Sequence, residues 1–128
     1  MRNIYTIENW QFVHNELHLS LNENENKIQI QPAGKVITDS DQLALIYLVE
    51  ENEEYSYIQF PQNTWSSIVE GLKSEKNPTL VLGDQHIELV EFNEELTMLL
   101  FNIEGNDNYG KEFVEAIETA FAEILKEQ

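Results

Sequence analysis

Gln42-Leu43-Ala44-Leu45-Ile46-Tyr47-Leu48-Val49-Glu50 is the stretch whose reading decides the fold class. In an extended chain successive side chains point to opposite faces. Leu43, Leu45, Tyr47 and Val49 then share one face, and Ala44, Ile46 and Leu48 share the other. Both faces are apolar, the mark of a strand set inside a sheet and covered on both sides. The acidic run 50–54 reads as a turn, and Tyr55-Ser56-Tyr57-Ile58-Gln59-Phe60 pairs back as the partner strand. After Pro61 the period changes. Trp65, Ile68, Val69 and Leu72 stand three and four apart, which makes one face of a short helix near 64–73, with Asn63 or Thr64 as its N-cap.

Toward the N-terminus, Ile4-Tyr5-Thr6-Ile7 and the run 10–13 are short β-type segments. Leu17, Leu19 and Leu21 alternate with His18 and Ser20, the period-two signature of a half-buried strand. A polar turn at 22–26 and the alternation of Ile28 and Ile30 with Gln29 and Gln31 predict that the chain returns on this strand as a hairpin. Pro32-Ala33-Gly34 breaks or bends the returning strand, and Lys35-Val36-Ile37-Thr38 resumes it.

Toward the C-terminus, Asn77-Pro78 closes the helical region, and Gly83-Asp84-Gln85 joins two short strands at 79–82 and 86–90. A helix at about 94–104 follows, capped by Asn93, with Glu94 and Glu95 in a first turn that favours anions. Leu96, Leu99, Leu100 and Ile103 form its apolar stripe, Met98 and Phe101 widen it, and Gly105 ends it. A last helix, about 109–126, carries Phe113, Ile117, Ala120, Phe121 and Ile124 on one face. The prediction is an α+β fold in one domain, 1–128. Its N-terminal two-thirds form a mostly antiparallel sheet of about five to seven strands, packed by the short helix and the two C-terminal ones. The wide apolar face of the last helix is assigned to the core, with a homodimer interface as the alternative.

The chain has 128 residues, enough for one core without staples, and 41% of them are hydrophobic. It has no cysteine, which removes thiol catalysis and Cys-based metal sites and fits a reducing, cytoplasmic setting. The N-terminus has no basic start leading into an apolar run, so no leader is expected. No apolar stretch approaches the ~20 residues that a membrane helix needs. Seven Lys and Arg against 24 Asp and Glu leave a formal charge of −17. Such a surface repels nucleic acid and anionic membranes. It serves solubility, a basic partner, or mimicry of a polyanion.

Few motifs bear chemistry. Gly105-Asn106-Asp107-Asn108-Tyr109-Gly110-Lys111-Glu112 has the spacing of a phosphate-binding loop. However, Glu112 stands where Ser or Thr would hold magnesium, and the loop follows a helix rather than a buried strand. As a calcium loop it would place Gly105 and Ala116 at ligand positions, which excludes it. A glycine-capped turn between helices accounts for the segment. His14, His18 and His86 read as surface strand positions, with a three-histidine metal site assembled in space as the alternative. Asp39-Ser40-Asp41, at the head of the apolar strand, could share a cation or divide acid and base roles, although Asx turns have the same composition. Glu50, Glu51, Glu53 and Glu54 read as a solvated hairpin tip, and Trp10 and Trp65 as core or core-edge residues.

The segment from Asp39-Ser40-Asp41 through Tyr55 to Trp65, and that from Glu88-Leu89 through Asn108-Tyr109-Gly110-Lys111-Glu112-Phe113, resemble the YjbL-like proteins. These are a small uncharacterised family of Bacillus- and Staphylococcus-type bacteria, and the resemblance spans roughly the last two-thirds of the chain. It implies a cytoplasmic bacterial protein and carries no activity, cofactor or partner with it.

Three functional readings follow. The first is a non-enzymatic binding module that meets a protein partner, or a second copy of itself, through the C-terminal helices, without a cofactor, metal or catalytic residue. The second is a small-ligand or metal-binding protein or enzyme that uses Asp39 and Asp41 with Asn106, Asn108, Tyr109 and Lys111. The third is a polyanion mimic.

Overall fold

A computed structural model describes residues 3–21 and 28–126. Among the described residues seven strands form one sheet: β1 (Ile4–Val13), β2 (Glu16–Leu21), β3 (Gln31–Asp39), β4 (Ala44–Glu51), β5 (Glu54–Pro61), β6 (Thr79–Leu82) and β7 (Gln85–Glu88). Their spatial order is β3-β4-β5-β1-β2-β6-β7. The helices are α1 (Trp65–Lys73), α2 (Phe92–Ile103), α3 (Lys111–Ala120) and α4 (Ala122–Lys126). The fold is α+β, as predicted. Most pairings are antiparallel, while β1 with β5 and β2 with β6 run parallel. The sheet curls until its edge strands β3 and β7 come near each other.

The apolar strand β4 behaves as its sequence requires. Leu45, Tyr47 and Val49 enter the main core, and Ala44 and Ile46 on the opposite face are also buried. β5 returns along its whole length through a two-residue turn, Asn52–Glu53, with Glu51 opposite Glu54 and Tyr47 opposite Ile58. Both turn residues have positive φ, 52° and 66°. That geometry matches the twist of the strands it joins.

The expected hairpin between the Leu17–Leu21 segment and Ile28–Ile30 is not formed. β2 pairs with β1 through a second two-residue turn, His14–Asn15, whose φ values are 51° and 65°. The other edge of β2 is taken by β6, so no edge remains for a returning strand. Ile28 and Ile30 are buried without being part of a strand, and the polar turn read at 22–26 lies outside the described residues. The two short runs expected at 4–7 and 10–13 are one strand with an irregularity between Ile7 and Asn9. Gly34, at φ +72°, bends β3 where its register slips between Pro32 and Val36.

The β1–β2 hairpin lies between β5 and β6, so the chain leaving β5 must cross it. α1 makes that crossing. Gly71 lies so close to β2 that an added Cβ would sit 3.1 Å from Leu17 Cδ2. Two aromatic clusters fill the space between sheet and helices. Phe92 of α2 meets Tyr47 and Phe60 at centroid distances of 5.9 and 5.3 Å. Trp65 meets Phe113 of α3 and Phe121 at 6.2 and 5.8 Å.

The helix ends differ in detail from the sequence reading. Asn93 does not cap α2. That position belongs to Glu91, at φ 62°, while Asn93 sits inside the helix and donates its side-chain amide to the Lys76 carbonyl. The helix expected over 109–126 starts at Lys111, after a 3₁₀ turn at Asp107–Tyr109, and is interrupted at Phe121, φ −107° and ψ 23°. Thr64 precedes α1, but its hydroxyl donates to the Pro61 carbonyl instead of capping the helix. Among the described residues no helix is long and apolar enough to cross a membrane.

Candidate functional site

On β2, Leu17, Leu19 and Leu21 point into the core, so Glu16, His18 and Ser20 face outward. β6 and β7 follow the same alternation. Leu80 and Leu82 are buried, and Thr79 and Val81 lie on the outer face with His86 and Glu88 opposite them. The parallel joint sets His18 beside Thr79. Alternation and strand order together build a polar shelf from Glu16, His18, Thr79, His86 and Glu88.

The contacts on the shelf are close. His18 Nε2 lies 3.1 Å from Glu16 Oε1, and the Thr79 hydroxyl donates to the same oxygen at 2.7 Å. These two bonds, Thr79 first, hold the Glu16 carboxyl below the usual carboxylate range against a smaller desolvation effect. The His18 and His86 rings meet edge to face at 5.7 Å. A cleft of about 430 Å³ opens beside them, bordered by Glu16, Lys76, Asn77, Thr79, His86 and Glu88 among others. Asn77 Nδ2 donates to Glu88 Oε2 at 3.0 Å. The sequence placed His18 on the outer face. It could not show that His86 arrives beside it, because that depends on which strand takes the free edge of β2.

A second polar centre lies where β1, β4 and β5 end. Glu51, read from sequence as part of a solvated tip, lies on the same face of β4 as Tyr47 and Val49 and turns inward. Its Oε1 accepts hydrogen bonds from Asn3 Nδ2 at 2.9 Å and from the Ser56 hydroxyl at 2.7 Å, and the Tyr5 hydroxyl lies 2.8 Å from Oε2. Desolvation pushes the Glu51 pKa up, but the bonds from Asn3, Ser56 and Tyr5 outweigh it and hold the group below its ordinary 4.5. A carboxylate depressed in the folded state stabilises the fold above its unfolded pKa, and that stabilisation is lost as pH falls through the folded value. Glu51→Gln is therefore expected to be less stable than the parent near neutral pH by about 1 kcal/mol. The gap should close in urea titrations carried out well below pH 4.5. A gap that stays constant with pH would show that the carboxylate charge is not what these donors hold.

The third feature is apolar. The buried side of α2 carries Phe92, Leu96, Leu100 and Ile103. Met98 and Phe101 lie away from it, 53% and 37% exposed, and stand three residues apart on neighbouring positions of the helix surface. Glu94, Glu95 and Glu104 bracket them along the chain.

The residues singled out in the sequence lie elsewhere. Asp39 ends β3 and Asp41 is exposed in the 3₁₀ turn at Ser40–Gln42. Asn106 Oδ1 accepts the Asn108 N–H at 3.1 Å and so fixes its own turn. Tyr109 packs partly against the core, and Lys111 opens α3 exposed to solvent. Gly105, at φ +69°, follows α2, and its N–H donates to Glu118 at 2.8 Å. A groove of about 390 Å³ runs between the β3–β4 turn and α3. Leu43, Gln62, Glu112, Glu115, Ala116, Thr119 and Ala120 border it, and none of the six sequence candidates does.

Comparison with known proteins places the chain. The model of a family of unknown function, UPF0738, matches residues 5–121. The chain belongs to the UPF0738 family. A UPF0738 protein of Lysinibacillus sphaericus is 50% identical over 127 residues, covering 99% of this chain and 100% of the relative. UPF0738 proteins of Staphylococcus epidermidis and Staphylococcus aureus are 41% and 38% identical over 92 residues, 72% of this chain and 76% of each relative. No solved structure matches the chain. The expected kinship with an uncharacterised family of Bacillus- and Staphylococcus-type bacteria thus holds at the level of the UPF0738 family, for Lysinibacillus and Staphylococcus.

Proposed function

We propose that this protein is a non-enzymatic binding module of the bacterial cytoplasm that docks a basic, apolar-faced segment of another protein on α2. The resemblance to YjbL-like proteins is, on this reading, a resemblance within one family. The observation that carries the proposal is the outward pair Met98 and Phe101, exposed on a helix whose other side is already filled by core residues. Large exposed apolar side chains bracketed by charge are typical of the anchor points of interfaces.

Charge selects the kind of partner. A second copy would bring another −17 against the first, which favours a basic partner over self-association. The acidic bracket of Glu94, Glu95 and Glu104 suits Lys and Arg flanking an apolar face.

A photo-crosslinking residue placed at Met98 in the native host tests this. The expected product is a discrete adduct to a protein segment rich in Lys and Arg. Its affinity for the purified protein should fall at least about tenfold in Met98→Ser/Phe101→Ser, a loss of about 1.4 kcal/mol, and should weaken as salt is raised. Sedimentation is expected to give a monomer. A dimer that is lost in the same double variant would replace the basic partner with a second copy. A captured segment whose binding does not respond to the double variant would overturn the α2 assignment.

A further inference from the structure

We infer that Glu16, His18 and His86 form a site for one divalent cation of the zinc type. This stands apart from the α2 reading, since the shelf and α2 share no residue.

The distances fit the chemistry. Zinc takes imidazole nitrogen at about 2.0–2.1 Å and carboxylate oxygen at about 2.0–2.2 Å. Two donors of one tetrahedral ion therefore lie about 3.3 Å apart. His18 Nε2 and Glu16 Oε1 stand 3.1 Å apart, so a cation can replace the proton they share with almost no movement of β2, which carries both. Two imidazoles on one such ion have ring centres about 5 Å apart. The His18 and His86 rings are at 5.7 Å, edge to face, which brings His86 within reach of the same ion. Among the described residues no three His, Asp or Glu side chains are grouped so as to hold a metal ion as they stand. The site therefore requires His86 to rotate about its own side-chain bonds, for which its exposed place on β7 leaves room.

The surroundings are those of a ligand set held from outside. The Thr79 hydroxyl orients the Glu16 carboxylate, and Asn77 orients Glu88, whose carboxylate borders the same cleft and can serve as the fourth donor. Outer hydrogen bonds of this kind fix the direction of metal-ligating groups. Imidazole with carboxylate suits zinc over calcium or magnesium, which prefer oxygen alone. A charge of −17 raises the local concentration of any cation. Lys76 also borders the cleft, and its ammonium would turn to solvent when the cation enters.

The test is calorimetric titration of zinc chloride into the full chain, stripped with chelator and kept in excess magnesium to occupy scattered carboxylates. One equivalent should bind. His18→Ala and His86→Ala should each weaken it at least tenfold, Glu16→Gln should weaken it less, and His14→Ala should change nothing. In the unsubstituted protein, imidazole NMR signals of His18 and His86 should move with zinc while that of His14 stays. Absence of a stoichiometric event, binding that survives in His18→Ala/His86→Ala, or unmoved His18 and His86 signals would overturn the site.

Discussion

Replacing Trp65 by Ala is expected to cost about 3–5 kcal/mol of folding free energy, out of the 5–15 that a domain of this size has in total. Trp65 is 1% exposed and sits where three parts of the chain meet. It opens α1, its ring packs edge-on against Phe113 of α3, and Phe121 lies against it at the break between α3 and α4. Its indole N–H donates to the Phe60 carbonyl at 3.0 Å, which ties α1 to the end of β5. Truncation leaves a cavity lined by two phenylalanines and takes the indole donor from the Phe60 carbonyl. Trp65→Phe keeps most of the ring and loses only the N–H, so it should cost about 1–2 kcal/mol. Urea denaturation followed by far-UV circular dichroism separates the two variants without using the indole as the probe. A cost below about 1.5 kcal/mol for Trp65→Ala would mean that α3 and α4 do not depend on this residue for their seat.

Much of that architecture was legible because it is written in local period. The two-faced apolarity of β4, the alternation of β2 and the three-and-four spacing around Trp65 each report burial directly. Pairing was less legible. Alternation states which face of a strand is buried and is silent on which neighbour takes each edge. That is why β2 was expected to pair with residues after 26 and in fact pairs with β1 and β6. The turn that decides this, His14–Asn15, holds positive φ at two residues neither of which is glycine, so the usual Asn-Gly mark of such turns is missing. The interruption at Phe121 was hidden for a related reason. Apolar residues continue at helical spacing on both sides of it, and Phe121 and Leu125 are both buried.

The same limits separate the candidate residues of the sequence from those of the structure. Asn106, Asn108 and Lys111 stand together as a string in the sequence, and within that string Asn106 serves its own turn. His18 and His86 have no sequence string in common. They meet because α1 carries the chain across the β1–β2 hairpin and delivers β6 to the edge of β2. Met98 was more accessible. It lies two residues from both Leu96 and Leu100, about 200° round a helix of 3.6 residues per turn, so a stripe centred on those leucines cannot include it. Breadth of apolar sequence suggests breadth of core, where helical angle places Met98 on the outer side.

Tyr47→Phe is expected to cost about 1–3 kcal/mol, although it removes a single oxygen. Tyr47 is fully buried in β4, and its hydroxyl accepts the Gly34 N–H at 3.2 Å and donates to the Val90 carbonyl at 2.8 Å. One atom thus joins the bend of β3, the strand beside it and the segment that leads into α2, near where the two sheet edges approach. Burial pushes the phenol pKa up to about 12, with Glu91 and Glu88 adding to it and the Gly34 N–H acting against it. The hydroxyl therefore keeps its proton through the neutral range and stays a donor to Val90. Phenylalanine fills the same space against Phe92, so the loss isolates the two hydrogen bonds from the packing. The amide of Gly34 should exchange with solvent faster than in the parent, since its acceptor is gone, while amides in the middle of β1 and β2 should change only as far as global stability does. A Tyr47→Phe protein within about 0.5 kcal/mol of the parent, with an unchanged Gly34 amide, would show that the curl of the sheet is held by packing alone.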